Sequence, residues 1–192
     1  ITTCLESNKS IFLIIKKGRD INSDLKFINR DIKQLVRDKT SLFQIFEAEY
    51  DDIWIRDHGP QTLIEKSSGN YYFSTSRFNG YGNKYYCEND KKLSLELTKK
   101  FRKLGSPYKQ KVFEIFNSII IEPGNITFNN NLYIINKSPL VAHNKLNWAA
   151  INKILKESIE DSLGAEYKII NTEPISGDDT NGHIDNLSRL ES

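Results

Sequence analysis

Asp52-Ile53-Trp54-Ile55-Arg56-Asp57-His58-Gly59-Pro60 packs an aromatic ring, a cation, two acids and a histidine ahead of a Gly-Pro turn, all within nine residues. A turn by itself needs only the Gly-Pro pair. The added charges mark a site that orients a polar, cationic ligand. Two later stretches share this make-up, Glu122-Pro123-Gly124-Asn125 and Gly182-His183-Ile184-Asp185. Asp57, Glu122 and Asp185 are spaced 65 and 63 residues apart (122 − 57 and 185 − 122). An acid that returns at near-equal intervals beside a glycine predicts a repeat architecture with one acid per repeat.

The elements around these stretches keep the same rhythm. Residues 11–15 are β-branched and apolar and read as a buried strand. Residues 24–38 carry Leu25, Ile28, Ile32, Leu35 and Val36 at helical spacing, with Ser23 or Asp24 to cap them. Residues 42–46 alternate as a strand. Residues 61–65 and 71–78 read as two strands joined by a Ser-Ser-Gly-Asn turn. The stretch 78–85 reads as a surface loop with packed rings, the alternative being a pocket wall. A second helix is expected over 89–104, ended by Gly105 and Pro107. Strands follow at 111–116, 119–121 and 132–135, a third helix at 146–163 and a strand at 167–170. After a loop at 176–182, a last strand is expected over 183–190. Helix, strand, acidic loop and strand thus recur three times, which predicts an α/β repeat fold and, with no low-complexity linker, one domain.

The bulk composition excludes several classes. The chain has 192 residues, 38% hydrophobic and 27% charged, with a net charge of +2. Its cations are scattered among nearly as many acids, which argues against a nucleic-acid groove. Its longest apolar runs are strand-sized, too short for a bilayer. Two cysteines without metal-like spacing, and no secretory pattern, point to a reduced, cytoplasmic chain. The start at Ile1 and the lack of methionine predict a piece of a longer protein.

If the repeats close around an axis, their acids converge. Converging carboxylates repel unless a cation sits between them, and a planar guanidinium offers forked donors to both sides. Alternation along a strand would put His183 and Asp185 on one face, and a histidine beside an acid suits proton transfer near neutral pH. A buried structural histidine fits that motif equally well. Trp54 reads either as core or as a ring that stacks on a flat cation. The histidines are His58, His143 and His183, and no two share a close ligand spacing, so zinc is not expected. A magnesium site at Asp178, Asp179 and Asp185 is a weak rival, because Asp178-Asp179 also reads as a polar turn.

Four of these stretches resemble motifs of the agmatine deiminases and the bacterial-type peptidylarginine deiminases related to them. Asp52 to Pro60 resembles their W-x-R-D-x-G-P signature, and Phe78-Asn79-Gly80-Tyr81-Gly82-Asn83-Lys84-Tyr85 their F-N-G-W-G-x-K-Y loop. Glu122-Pro123-Gly124-Asn125 resembles their E-G-G-N turn, with Pro123 in place of the first glycine. Gly177-Asp178-Asp179-Thr180-Asn181-Gly182-His183-Ile184-Asp185 resembles their G-D-D-T-x-G-H-x-D segment.

The resemblance implies a pentein-type α/β propeller of ββαβ repeats around a pseudo-fivefold axis, with about three repeats in this chain. They fall at roughly 1–65, 66–128 and 129–192, in a single, incomplete domain. It implies hydrolysis of a guanidino group, that of agmatine, to a ureido group and ammonia. Asp57 and Asp185 would grip the guanidinium, His183 would be the general acid and base, Glu122 would orient His183, and Trp54 would line the channel. The nucleophile would be a cysteine in a later unit, since Cys4 and Cys87 do not match its position; this chain alone is then expected to be inactive. No cofactor and no metal are implied. The partner would be a small guanidino substrate, with no nucleic acid and no membrane, and a homo-oligomer stays open. Peptidylarginine deimination and non-catalytic guanidine binding are the alternatives.

Overall fold

In a computed structural model of the chain, the described residues are 11–19, 43–105, 108–129 and 131–186. The helix expected over 24–38, the residues 187–190 of the last strand, and Cys4 lie outside them. The chain divides into two compact units, Ile1–Tyr50 and Asp51–Ser192, each taken by itself. In the first unit, β1 (Ile11–Lys16) pairs in parallel with β2 (Phe43–Ala48). Phe12 stacks on Phe46 at 5.7 Å, and Ile15 and Ala48 are buried.

The second unit contains two successive ββαβ modules. In the first, β3 (Gln61–Ile64) runs antiparallel to β4 (Tyr71–Arg77), the helix α3 (Asp90–Arg102) follows, and β5 (Tyr108–Ile120) returns parallel to β4. In the second, β6 (Ile126–Asn129) is antiparallel to β7 (Leu132–Asn136), and β8 (Glu166–Ile170) is parallel to β7. Between β7 and β8 lie α4 (Lys137–His143) and α5 (Trp148–Lys156), the latter continued by a wider turn over Glu157–Asp161. Two short helical turns, α1 (Ile55–His58) and α2 (Gly80–Asn83), complete the unit. Asp57 stands four residues before β3 (61 − 57) and Glu122 four before β6 (126 − 122), so the acids do share one phase of the repeat.

Local chemistry explains these elements. Leu93 and Leu97, one turn apart, bury the inner face of α3, and Phe101 stacks on Phe73 of β4 at 5.2 Å. Lys99, Lys100 and Arg102 meet the negative end of that helix. The core of the second module is an aliphatic cluster around Ile119, Ile121, Ile126, Ile135, Ile151 and Leu155. Each such side chain, fully buried, contributes about 1.5–3 kcal/mol of transfer energy. Asn147 caps α5, its side-chain oxygen accepting from the Ala150 N–H at 2.9 Å.

Three expectations are corrected, and two elements had not been foreseen. The strands predicted at 111–116 and 119–121 are one strand, because nothing between Tyr108 and Ile120 is a Gly or Pro, and register shifts against β4 absorb its length. The helix predicted over 146–163 is regular only to Lys156 before it widens. The segment 126–129 and the helix α4 were not expected; Asn136 as cap and Pro139 in the first turn are the signal for the latter. The strand predicted from 183 begins instead as a tight helical turn, Ile184–Asn186. Among the described residues, no helix is long and apolar enough to cross a membrane.

Candidate functional site

The α1 turn sorts its side chains sharply. Asp57 and His58 are buried, whereas Trp54 is 61% exposed and Arg56 faces outward. Gly59 closes the turn, its N–H donating to the Ile55 carbonyl at 2.8 Å, and a Cβ there would lie 2.5 Å from that oxygen. His58 is a support beneath the turn. Its ring packs against Phe78 at 5.4 Å and lies 3.9 Å from Asp90. Burial pushes the His58 ring toward the neutral form, against the pull of nearby acids. Asp90, the first residue of α3, accepts the N–H groups of Asp51 and Asp52 at 2.8 and 3.3 Å, and so anchors the start of the motif.

Two asparagines lace the other two motifs together. Asn125, fully buried, donates from Nδ2 to the Asn136 carbonyl at 2.8 Å. The Asn136 side chain, also fully buried, donates to the Gly182 carbonyl at 2.8 Å and to the Thr172 hydroxyl at 2.9 Å, and accepts the Thr172 N–H at 3.1 Å. Gly182 sits at φ +97°, a conformation that favours glycine. Asp178 then folds the loop onto itself: its carboxylate accepts the Thr180 N–H and hydroxyl and the Gly182 N–H at 2.8, 2.6 and 2.8 Å. Burial would raise its carboxyl, but those donors hold it below the usual range. Thr180 in turn accepts the His183 N–H at 3.0 Å.

These supports place one imidazole between two acids. His183 is 1% exposed. Its Nδ1 lies 3.2 Å from Asp57 Oδ1, and its Nε2 bonds Glu122 Oε2 at 3.4 Å. Burial works against charging this ring, but the two carboxylates outweigh it and push the ring up to about 9. Glu122 is also buried, which would raise its carboxyl; bonds from His143 and His183 hold it below the usual range instead. The second oxygen of Asp57 accepts the Tyr81 hydroxyl at 2.9 Å. Burial and that acid raise the Tyr81 phenol far above its ordinary value, so it stays a donor. Tyr81 takes φ 56°, ψ 51°, a strained backbone for a side-chain-bearing residue, held by Asn79 accepting the Gly82 N–H at 2.9 Å.

The triad opens onto a cleft of about 520 Å³. Trp54, Tyr81 and Tyr85 wall it, and five carboxylates border it, from Asp52, Asp57, Asp178, Asp179 and Asp185. Tyr85 donates its hydroxyl to Asp179 at 2.9 Å. Arg56 donates to the Ile126 carbonyl at 2.8 Å and places Nε 3.7 Å from Asp185 Oδ2.

The structure thus brings Asp57, Glu122 and His183 into contact and puts Trp54 and Asp185 on the same cleft. The pairing expected between His183 and Asp185 is not seen. The helical turn after Gly182 breaks strand alternation, buries Ile184 and sends Asp185 to Arg56, while Asp57 and Glu122 flank the histidine. The Phe78–Tyr85 loop is a cleft wall as well as a site of packed rings: Phe78 and Tyr81 meet edge to face at 5.3 Å. Cys87 is a free, buried thiol beside those rings, pushed up by burial, and is not among the residues lining the cleft. Sequence reasoning missed His143 and Asn181 as site neighbours. No motif marks His143, since its partner Glu122 is 21 residues away.

The model of the Porphyromonas-type peptidyl-arginine deiminase family matches residues 9–192. No curated protein matches the chain. Among solved structures, one provisionally assigned as a peptidyl-arginine deiminase superposes with a TM-score of 0.70 at 23% identity, covering 97% of this chain and 50% of that one. An agmatine deiminase variant of C. jejuni with substrate bound gives 0.62 at 24% identity, covering 95% and 59%. The agmatine deiminase of Enterococcus faecalis gives 0.66 at 15% identity, covering 96% and 46%. The chain therefore spans about half the length of the solved proteins it resembles.

Proposed function

The chain belongs to the Porphyromonas-type peptidyl-arginine deiminase family, and on that footing we propose that it supplies the guanidinium-holding and acid–base part of a hydrolase. The hydrolase converts a guanidino group to a ureido group with release of ammonia. The fold proposed with it is the pentein-type propeller, of which residues 1–192 are one incomplete domain of about three repeats. The observation that carries the reading is His183, buried between the carboxylates of Asp57 and Glu122 at the floor of an acidic cleft.

Each side chain then has a task. Asp57 and Asp185 hold the guanidinium, with Arg56 yielding Asp185 as the substrate cation enters. Trp54 covers the flat face of the cation. The attacking group is a cysteine thiolate from outside the described residues, since Cys87 is buried away from the cleft. It adds to the guanidinium carbon, forming a C–S bond. The His183 imidazolium gives its proton to the departing nitrogen, the C–N bond breaks, and ammonia leaves. Neutral His183 then takes a proton from water as its oxygen bonds to carbon. The C–S bond breaks with its electron pair on sulfur, which restores the thiolate, and the proton left on the ureido oxygen passes to solvent, where the released ammonia takes it up as ammonium. Glu122 holds the His183 ring in place throughout.

Agmatine is the substrate we favour over peptidyl-arginine. The cleft carries five carboxylates against two cationic side chains, Arg56 and His183, and agmatine brings a second cation in its distal amine to that acidic surplus. Peptidyl-arginine brings only amide groups at that end. The test is calorimetric titration of the chain with agmatine and with Nα-acetyl-argininamide, with ammonia followed in parallel. Agmatine binding at least tenfold tighter, without ammonia release, is expected. Equal or reversed affinities would overturn the choice of agmatine, and ammonia release would overturn the external thiol.

A further inference from the structure

The hydrogen bonds around His183 form one chain whose direction is fixed at its outer end. Lys84 Nζ can only donate, and it does so to Asn181 Oδ1 at 3.1 Å. Asn181 therefore turns Nδ2 toward His143, where it lies 2.7 Å from Nε2. An amide nitrogen cannot accept, so His143 Nε2 is the acceptor and its proton sits on Nδ1. That Nδ1–H donates to Glu122 Oε2 at 2.8 Å. Glu122 Oε2 thus accepts the His143 Nδ1–H and faces His183 Nε2 at 3.4 Å, while Oε1 is buried with no hydrogen-bond partner among the described residues. The direction from Lys84 to Glu122 is thus set by donor chemistry alone.

The packing around His143 is built for this contact. His143 is 6% exposed and closes α4. Its ring lies on Gly82, where an added Cβ would stand 3.0 Å from Cδ2. Its carbonyl accepts from Asn79 at 3.4 Å. Among the described residues, Glu122 faces both histidines, Asp57, Tyr81 and Asp178 face His183, Lys84 reaches His143 through Asn181, and Lys91 and Lys145 line a cavity beside His143. Neither the reaction proposed above nor the motifs give His143 or Asn181 a task.

We propose that His143, its tautomer fixed by Asn181, is a positioning residue that keeps Glu122 ionised and turned toward His183. This rests on the reading of His183 as the acid–base group. Without the Nδ1–H, a carboxylate buried to 1% exposure loses its shorter hydrogen bond. The burial penalty then favours its protonated form, and a protonated Glu122 no longer holds an imidazolium beside it.

The test needs no substrate, so it separates this proposal from the functional reading. Imidazole 15N NMR of the chain at neutral pH reports the tautomer directly: His143 protonated at Nδ1 alone is expected, and protonation at Nε2 would overturn the proposal. Carboxyl 13C titration then follows Glu122. In His143→Ala its midpoint is expected to rise by about one pH unit or more, a tenfold weaker acid. His143→Asn puts an amide N–H near the lost Nδ1–H and is expected to restore most of it. An unchanged midpoint in His143→Ala, or the same rise in both variants, would overturn the proposal. If His143→Ala does not fold, Asn181→Leu replaces it: His143 is then expected to lose its single tautomer, and a retained pure Nδ1–H form would refute the role of Asn181.

Discussion

Gly124 leaves its side-chain space to Asp57: a methyl on Gly124 would stand 2.1 Å from the Asp57 Oδ1 and 2.6 Å from His183 Nδ1. The backbone of the Glu122 turn therefore approaches the acid–imidazole pair at a distance that only glycine allows, although its φ is ordinary.

Gly124→Ala is accordingly expected to part Asp57 from His183. Overpacking of this kind costs about 1–3 kcal/mol, and agmatine affinity is expected to fall at least tenfold. Urea unfolding and titration calorimetry check both. Wild-type affinity in this variant would mean that the pair is not needed.

Stability is expected to depend on pH through His183. Its folded value of about 9 lies above the ordinary 6.5, so its contribution is complete below 6.5 and is lost as pH rises through about 9. The loss is on the order of 3 kcal/mol. Urea midpoints measured between these limits are expected to fall with rising pH, and His183→Gln to flatten the slope.

Tyr81→Phe removes one hydroxyl and keeps the ring that packs on Phe78. The fold is expected to hold, because the change costs about 1 kcal/mol. Agmatine binding is expected to weaken by about three- to tenfold, as Asp57 loses the donor that fixes its second oxygen. Far-ultraviolet circular dichroism and calorimetry separate the two effects.

Asn136→Ala strands the Gly182 carbonyl and the Thr172 N–H. A buried amide with several partners is worth about 2–4 kcal/mol. Hydrogen exchange is expected to rise first in the loop 172–183, ahead of β7, because this side chain ties that loop to the strand end at both points.

Much of this was legible because the informative residues are local. The Asp52 to Pro60 stretch turns and buries its acid within nine residues, and Leu93 and Leu97 announce α3 by spacing alone. The spacing of Asp57 and Glu122 showed the repeat, and each acid does precede its module by the same step. What failed was local geometry that side-chain type does not encode. Gly182 at φ +97° turns the chain out of the strand that would have aligned His183 with Asp185. The His143–Glu122 contact joins positions that no pattern connects. The pairing of Asp185 with Arg56 was likewise hidden, because Arg56 read as part of the ligand site rather than as the cation already beside that acid.

The central claim is that Asp57 and its neighbours hold a guanidinium, and calorimetry with a matched pair of ligands tests it most directly. Agmatine and 1,4-diaminobutane share a distal amine and differ in the guanidino group. The wild-type chain is expected to bind agmatine at least tenfold more tightly than the diamine, and Asp57→Asn to abolish that difference. Equal affinity for the two ligands, or an undiminished preference in Asp57→Asn, would contradict the account.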